Sequence, residues 1–309
     1  MRLLIVNYHY VRSTATGTGI YPVSPAAFRR QVEHLGSLYR FISEPDLVRM
    51  IDADRYPDAN LCLLTFDDAL REQWAALEIL SGLSVPAVCY ATTEPLSRGT
   101  VHDVHKLHHV LARMSEDDIV DVCHRAGDLD GRRFDQALLD EEYRYDSHAM
   151  QRVKFLLNFM ATAEERRVII DQLFQALEPD ERAFARRLYM DAGQLAALAR
   201  AGMLGTHTRT HRPLAALSPA EIDDEIASSM ADLRAYTGEE VRSISYPYGG
   251  PAAVSPQVAE TARAHGLRFG LTMVRGFNDD RDLRAGMLLR RVDTNDAPGG
   301  KLGSTAYVP

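Results

Sequence analysis

Long apolar runs are missing from this 309-residue chain. None approaches the roughly 20 residues that a helix needs to cross a bilayer. The opening residues, MRLLIVNYHYV, enter a strand at once. They are too short in apolar character for a secretory leader and lack a small-residue cleavage site, so a cytoplasmic protein is expected. Cysteine is scarce: Cys62, Cys89 and Cys123 cannot all pair and have no zinc-ribbon spacing. Cys62 and Cys89 sit inside apolar strand-like runs, which points to buried, reduced thiols. Positive charge is also short, with 35 Lys and Arg against 43 Asp and Glu and a formal net charge of −8. That balance argues against nucleic acid or an anionic membrane as the main partner. Hydrophobic residues are plentiful at 46%, enough for a substantial core, and α/β barrels often reach this length as one unit.

Short β-branched runs alternate with longer amphipathic stretches, the pattern of parallel βα units. Strands are expected at Leu3–Tyr8, Leu61–Phe66, Ala87–Ala91, Gly205–Thr206, Ile244–Tyr246, Phe269–Met273 and Leu288–Val292, with a shorter element near Phe41–Ile42. Helices are expected at Pro25–Tyr39 with Ser24 as N-cap, at Pro45–Met50 and at Arg71–Leu80. Further on they are expected at Asp191–Ala201, Ala220–Tyr236 with Ser218 as cap, and Pro256–His265. The count gives a (β/α) barrel of seven or eight parallel strands, complete or slightly deformed.

The alternation stops between His102 and Leu188, where helix follows helix. The domain expectation is therefore a discontinuous barrel, residues 1–95 and 190–295, with a helical insertion over 96–189. Leaving the carboxyl end of a barrel strand, the insertion is placed to form a lid or wall. The tail, 296–309, with Pro298, Gly299, Gly300 and Gly303, reads as loop or disorder.

Two strings carry chemistry. Thr65-Phe66-Asp67-Asp68 ends one expected strand, and His207-Thr208-Arg209-Thr210-His211 follows another. Neighbouring aspartates cannot face the same way, so one can bind a metal while the other reaches water beside it. His207 and His211 share a face if their segment coils into a helical turn. Together these are donors for one divalent ion, with a carboxylate to spare as base. A third string, Tyr246-Pro247-Tyr248-Gly249-Gly250, combines a rigid proline, glycines for close approach and aromatic faces suited to a polar ligand such as a sugar.

In this order and on successive strands, the TFDD, H-T-x-x-H and PYG strings resemble the polysaccharide deacetylases of carbohydrate esterase family 4, the NodB-homology fold. The resemblance covers roughly residues 1–95 and 190–295. It implies Asp67 as catalytic base and Asp68, His207 and His211 as ligands of one divalent ion, with Zn2+ favoured. Tyr246, Pro247, Tyr248 and Gly249 would line the substrate. The implied reaction is hydrolysis of an N-acyl group, most often acetyl, from an amino sugar. The ion would polarise the carbonyl and acidify water, Asp67 would remove a proton, and a backbone N–H at Tyr248 would help hold the oxyanion.

The sequence departs from the family twice. No arginine stands just before the PYG string to pair with the base, so Arg242, Arg275 or Arg290 is left to serve, and Arg290 is also assigned to substrate contact. No histidine acid stands on the last strand, and His9 in Asn7-Tyr8-His9-Tyr10 is the candidate replacement. On the insertion, His102, His105 and His109 would share a helix face with His108 beside them. His105 is assigned to substrate contact, and a second metal is conceivable there. The expected substrate is an intracellular saccharide, nucleotide-linked sugar or lipid-linked precursor. The rivals are deformylation or cyclic-amide hydrolysis on the same fold, or a catalytically silent sugar-binding protein.

Overall fold

The computed structural model describes residues 2–13, 22–127, 131–137, 139, 147–301 and 306–309. The chain divides into two compact units: residues 1–14, 22–99 and 185–309 form the first, and the described part of the second lies in residues 100–184.

The first unit is a deformed parallel barrel. Its strands are β1 (Arg2–Tyr8), β2 (Arg40–Phe41), β3 (Asn60–Asp67), β4 (Ala87–Ala91), β5 (Leu204–Thr206), β6 (Ser243–Ser245), β7 (Phe269–Leu271) and β8 (Val292–Asp293). They run β7-β6-β5-β4-β3-β1-β8, with β2 beside β3. Every ladder is parallel. Segment 289–293 touches both edges of this sheet: Leu289 bridges Leu271 of β7, while Val292 and Asp293 pair with Val6 and Asn7 of β1.

Alternation along the strands sorts the side chains into two layers. Leu3, Ile5, Leu61, Leu63, Val88, Tyr90, Phe269, Leu271 and Leu289 fill the interior, with Ile42, Leu47 and Val48 joining them. Leu4, Val6, Tyr8, Cys62, Leu64, Phe66 and Cys89 face the other way and pack against Phe28, Val32, Leu35, Leu80, Ile226 and Val258 of the helices. Burial on both sides explains the nearly unbroken apolar runs of β1, β3 and β4. The helices start at side-chain caps, among them Ser24, Ser43, Asp191, Ser218 and Ser255.

The second unit has helices Asp103–Arg113, Glu116–Gly127, His148–Phe155 and Ala163–Leu177. Val110, Ile119, Cys123, Val153, Ile169, Leu173 and Phe174 are buried there. Lys106, 7% exposed, joins Asp171 at 2.6 Å and Glu181 at 2.9 Å. No helix of the described residues is long and apolar enough to cross a membrane.

Several expected boundaries move. β7 stops at Leu271 rather than Met273, and β8 is Val292–Asp293 rather than Leu288–Val292. Leu288 is 46% exposed and Leu289 makes only a bridge, so no continuous ladder forms along that run. The described part of the tail is loop held by contacts. Ala297 is fully buried, Asp296 and Gly300 close turns on the carbonyls of Asp293 and Ala297, and the Gln31 amide donates to the carbonyls of Thr294 and Pro298. Tyr307 accepts from the Tyr39 hydroxyl through its carbonyl. Gly303 lies outside the described residues.

Glu44 opens the helix Glu44–Ala53 and is only 4% exposed. Burial pushes its carboxyl from 4.5 up to about 7, against the smaller pull of Ser243 and Arg242. A raised carboxyl favours the fold while protonated, so stability falls as pH climbs from the ordinary carboxylate range through the raised value. Glu44→Gln should match the parent near about pH 5 and exceed it by up to about 3 kcal/mol near about pH 8. Denaturant unfolding at the two pH values measures this; an equal effect at both would contradict it.

Candidate metal centre

The carboxyl ends of the strands turn polar on their interior face. Asn7 of β1 stands in register with Thr65 of β3, and Asp67 ends β3 two residues later. The chain then turns sharply, with Asp68 at φ 76° and Ala69 at φ 50°. This turn swings the second carboxylate away from the first. The helix that follows begins at Gln73, so neither aspartate serves as its N-cap. His207 extends the line of β5 by donating its N–H to the Ala91 carbonyl at 2.8 Å. Beyond it the backbone takes no helical turn. Thr208 (φ 63°) and His211 (φ 59°) lie in the left-handed region, and this loop, rather than helix spacing, brings the two rings together. Tyr248 (φ 62°) does the same in the PYG loop. Such backbone costs about 1–3 kcal/mol per residue for side chains other than glycine and persists only where its surroundings enforce it.

Asp68, His207 and His211 converge, all buried, with one donor atom from each lying within 4.8 Å of the others. Asp68 Oδ1 stands 3.5 Å from His207 Nε2 and 3.3 Å from His211 Nε2. These separations exceed an ordinary N–H···O hydrogen bond. They match the spacing of about 3.4 Å between neighbouring donors around a tetrahedral ion with bonds of about 2.1 Å. His207 Nδ1 lies 2.6 Å from the Ser245 carbonyl, which can only accept, so Nδ1 carries the proton and the Nε2 lone pair faces Asp68. Burial pulls the His207 imidazole down to about 4, which keeps it neutral and able to coordinate at neutral pH. The donor set therefore fits a single divalent ion. Among the described residues it is the one cluster of three such donors.

Asp67, beside the triad, is held by Arg291, whose side chain is entirely buried. The guanidinium meets both carboxylate oxygens at 2.9 Å. It also donates to Asn7 Oδ1 at 3.0 Å, Ser245 Oγ at 2.9 Å and the Thr272 carbonyl at 2.9 Å. Asn7 donates to Asp67 Oδ2 at 3.1 Å. Burial by itself would raise the Asp67 carboxyl, but Arg291, with help from His207 and His9, brings it down to about 2. His9 Nε2 lies 3.9 Å from Asp67 Oδ2, and its side chain is 38% exposed.

The arginine expected to pair with the base is therefore Arg291, not Arg242, Arg275 or Arg290. Arg290 points to the opposite side of the strand and engages Asp282 at 3.0 Å and the Phe277 carbonyl at 3.1 Å, which removes the basis for a substrate contact. Arg275 pairs with Asp296, and Arg242 is exposed. Tyr246, expected against substrate, is fully buried in the helix-facing layer, with its hydroxyl on the Met287 carbonyl. Strand alternation explains this, because Ser245 faces inward and Tyr246 must then face outward. Pro247 and Gly249 are buried in the loop beside it. A Cβ on Gly249 would strike the backbone of Met273, whose N–H donates to the Gly249 carbonyl at 2.8 Å. Tyr248 is 47% exposed, and its ring centre lies 5.0 Å from that of His211. His105 is buried in the second unit, 6.1 Å from the His102 ring and 6.4 Å from that of His108. His109 Nε2 lies 3.2 Å from Glu178 Oε1.

Sequence reasoning missed Asn7, Thr65, Gln73, Ser245 and Arg291. Gln73 donates to the carbonyls of His9 and Asp67 at 2.8 and 2.7 Å, tying the β1 and β3 loops together. The signal for Arg291 was present: alternation from buried Leu289 puts residue 291 on the same inward face.

Residues 180–270 match the family model described as Polysaccharide deacetylase. No curated protein matches the chain. Among solved structures, the deacetylase PplD of Streptococcus pyogenes, in complex with acetate, is 16% identical at a TM-score of 0.61, covering 98% of each chain. IcaB from Ammonifex degensii is 16% identical at a TM-score of 0.58, covering 99% of this chain and 97% of that one. The BpsB deacetylase domain of Bordetella bronchiseptica is 15% identical at a TM-score of 0.55, covering 94% and 96%. At these identities the likeness is one of fold.

Removing Arg291 strands a buried carboxylate. Arg291→Met should cost about 3–5 kcal/mol in denaturant unfolding, and adding Asp67→Asn should recover part of that loss. Strict additivity of the two changes would show that the pair does not act as a unit.

Proposed function

We propose that the chain is a member of the polysaccharide deacetylase family, whose model matches residues 180–270, and that it is a metal-dependent N-deacetylase of amino sugars. The observation that carries this reading is an ionised Asp67 set beside, but not within, a three-donor site built from Asp68, His207 and His211. A divalent ion held by those three residues supplies a Lewis acid for an amide carbonyl and acidifies water. Zinc suits one carboxylate with two imidazoles.

Asp67 accepts the proton of the attacking water. Among the described residues its Oδ1 meets Arg291, whereas Oδ2 meets Arg291, Asn7 and, at 3.9 Å, His9, so Oδ1 has more room for the incoming proton. Arg291 and Asn7 fix the direction in which that oxygen points. Because Arg291 holds the carboxyl near 2, Asp67 is ready as a base throughout the neutral range but is a weak one, and it depends on water made acidic at the site. The backbone N–H of Tyr248 is the proposed protein donor to the oxyanion. His9, partly open to solvent beside Asp67, is the proposed donor of a proton to the leaving amine. The exposed face of Tyr248 is the proposed stacking surface for a sugar ring.

We assign the substrate to intracellular saccharides carrying an N-acetyl group, free, nucleotide-linked or lipid-linked. Three buried free cysteines support a reducing compartment. The acetate in the Streptococcus pyogenes relative supports acetyl as the group removed. A silent sugar-binding protein would have little use for the buried donor set of Asp68, His207 and His211 with Asp67 beside it.

The test is incubation with N-acetyl and N-formyl sugars, free and nucleotide-linked, with and without a chelator. Acetate release should vanish on chelation and return with zinc. Asp67→Asn should lower kcat by about 10²–10⁴-fold. His9→Ala should lower kcat about tenfold or more with metal content unchanged. Formate release without acetate release would redirect the reading to deformylation. Hydrolysis indifferent to Asp67→Asn would end it.

A further inference from the structure

Glu225 is 2% exposed and takes no part in the chemistry above. It sits on the helix Pro219–Thr237 and reaches into the loop between the two histidines. Its Oε2 accepts the backbone N–H groups of Arg209 at 3.1 Å and Thr210 at 2.9 Å. Its Oε1 accepts the Thr210 hydroxyl and, at 3.3 Å, the Arg212 guanidinium. Four residues along the same helix, the Ser229 hydroxyl meets that of Thr206 at 2.7 Å, and Thr206 Oγ1 also accepts the Thr208 N–H at 3.2 Å.

In the interior of a helix, amides lying between two histidines four apart would be satisfied within its own ladder. Here the backbone is left-handed at Thr208 and His211, no such ladder exists, and the Arg209 and Thr210 amides find their partner on a separate element. A buried N–H needs an acceptor, so whichever group supplies it also sets the shape of the loop.

We propose that Glu225 is a positioning residue that sets the spacing of the His207 and His211 imidazoles and thereby the affinity of the centre for its ion. This rests on the metal-centre reading above. Glu225 touches neither the ion's donor atoms nor the reacting groups and acts only through the loop. Arg212 lies across its outer oxygen, so the carboxylate's charge is met locally.

Zinc affinity by chelator competition, the visible spectrum of the cobalt-substituted protein and the unfolding midpoint would be measured for the parent and four variants. Glu225→Ala should bind zinc about 10–100-fold more weakly and alter the cobalt bands. Glu225→Gln, of the same shape but with one acceptor oxygen, should weaken binding less and keeps the test open if the alanine variant does not fold. Asp232→Ala removes a carboxylate of the same helix whose partner is the Thr93 hydroxyl at 2.7 Å. It should shift the unfolding midpoint without shifting zinc affinity. Parent-like zinc affinity in Glu225→Ala or, should that variant not fold, in Glu225→Gln would overturn the proposal, as would an equal loss in Asp232→Ala. If the parent itself binds no zinc, or His211→Ala binds it as tightly as the parent, the metal-centre reading falls instead.

Discussion

The polar end of this barrel depends on one buried ion pair. Arg291 donates to Asp67, Asn7, Ser245 and the Thr272 carbonyl. It thereby joins the ends of β1, β3, β6 and β7 to the closing segment. A guanidinium has five N–H donors in a rigid plane, and here they converge on acceptors from four strand ends. Without the carboxylate the arginine would be an uncompensated charge in an apolar barrel, and without the arginine the carboxylate would take up a proton. Each group makes the other tolerable, and the geometry of Asp67 follows from that necessity.

The second constraint is backbone strain. Asp68, Ala69, Thr208, His211 and Tyr248 all adopt left-handed backbone, and all lie in the three loops that build the site. Asp68 and Asp67 diverge because of it, and His207 and His211 converge because of it. The surrounding structure holds these turns through Glu225 for the histidine loop, Gly249 against Met273 for the PYG loop, and Gln73 beneath the aspartates. A rigid apolar barrel thus carries a rim that is individually unfavourable and collectively fixed.

Much of this was legible in the residues. Apolar runs in β1, β3 and β4 marked a parallel sheet covered on both faces, and the serine caps marked the helix starts. The four metal and base candidates were visible as strings at strand ends. The rest was hidden for specific reasons. Tyr246 looks like a ligand contact until strand parity, fixed by its inward neighbour Ser245, turns it into the core. Arg290 and Arg291 are chemically identical, and only the pairing of Leu289 with Leu271 tells which faces Asp67. Asn7, Thr65 and Gln73 carry no motif, because their role arises from elements distant in sequence meeting at one point. The left-handed turns at Asp68 and His211 occur at residues whose types do not announce them.

The segment that closes the barrel is also the one that delivers Arg291, and it follows the other strands in sequence. During synthesis, Asp67, Asp68, His207 and His211 all leave the ribosome before it. A nascent chain with those four residues already folded would still hold an unneutralised acid in its interior. The polar cluster and the last stretch of wall must therefore mature as a single event.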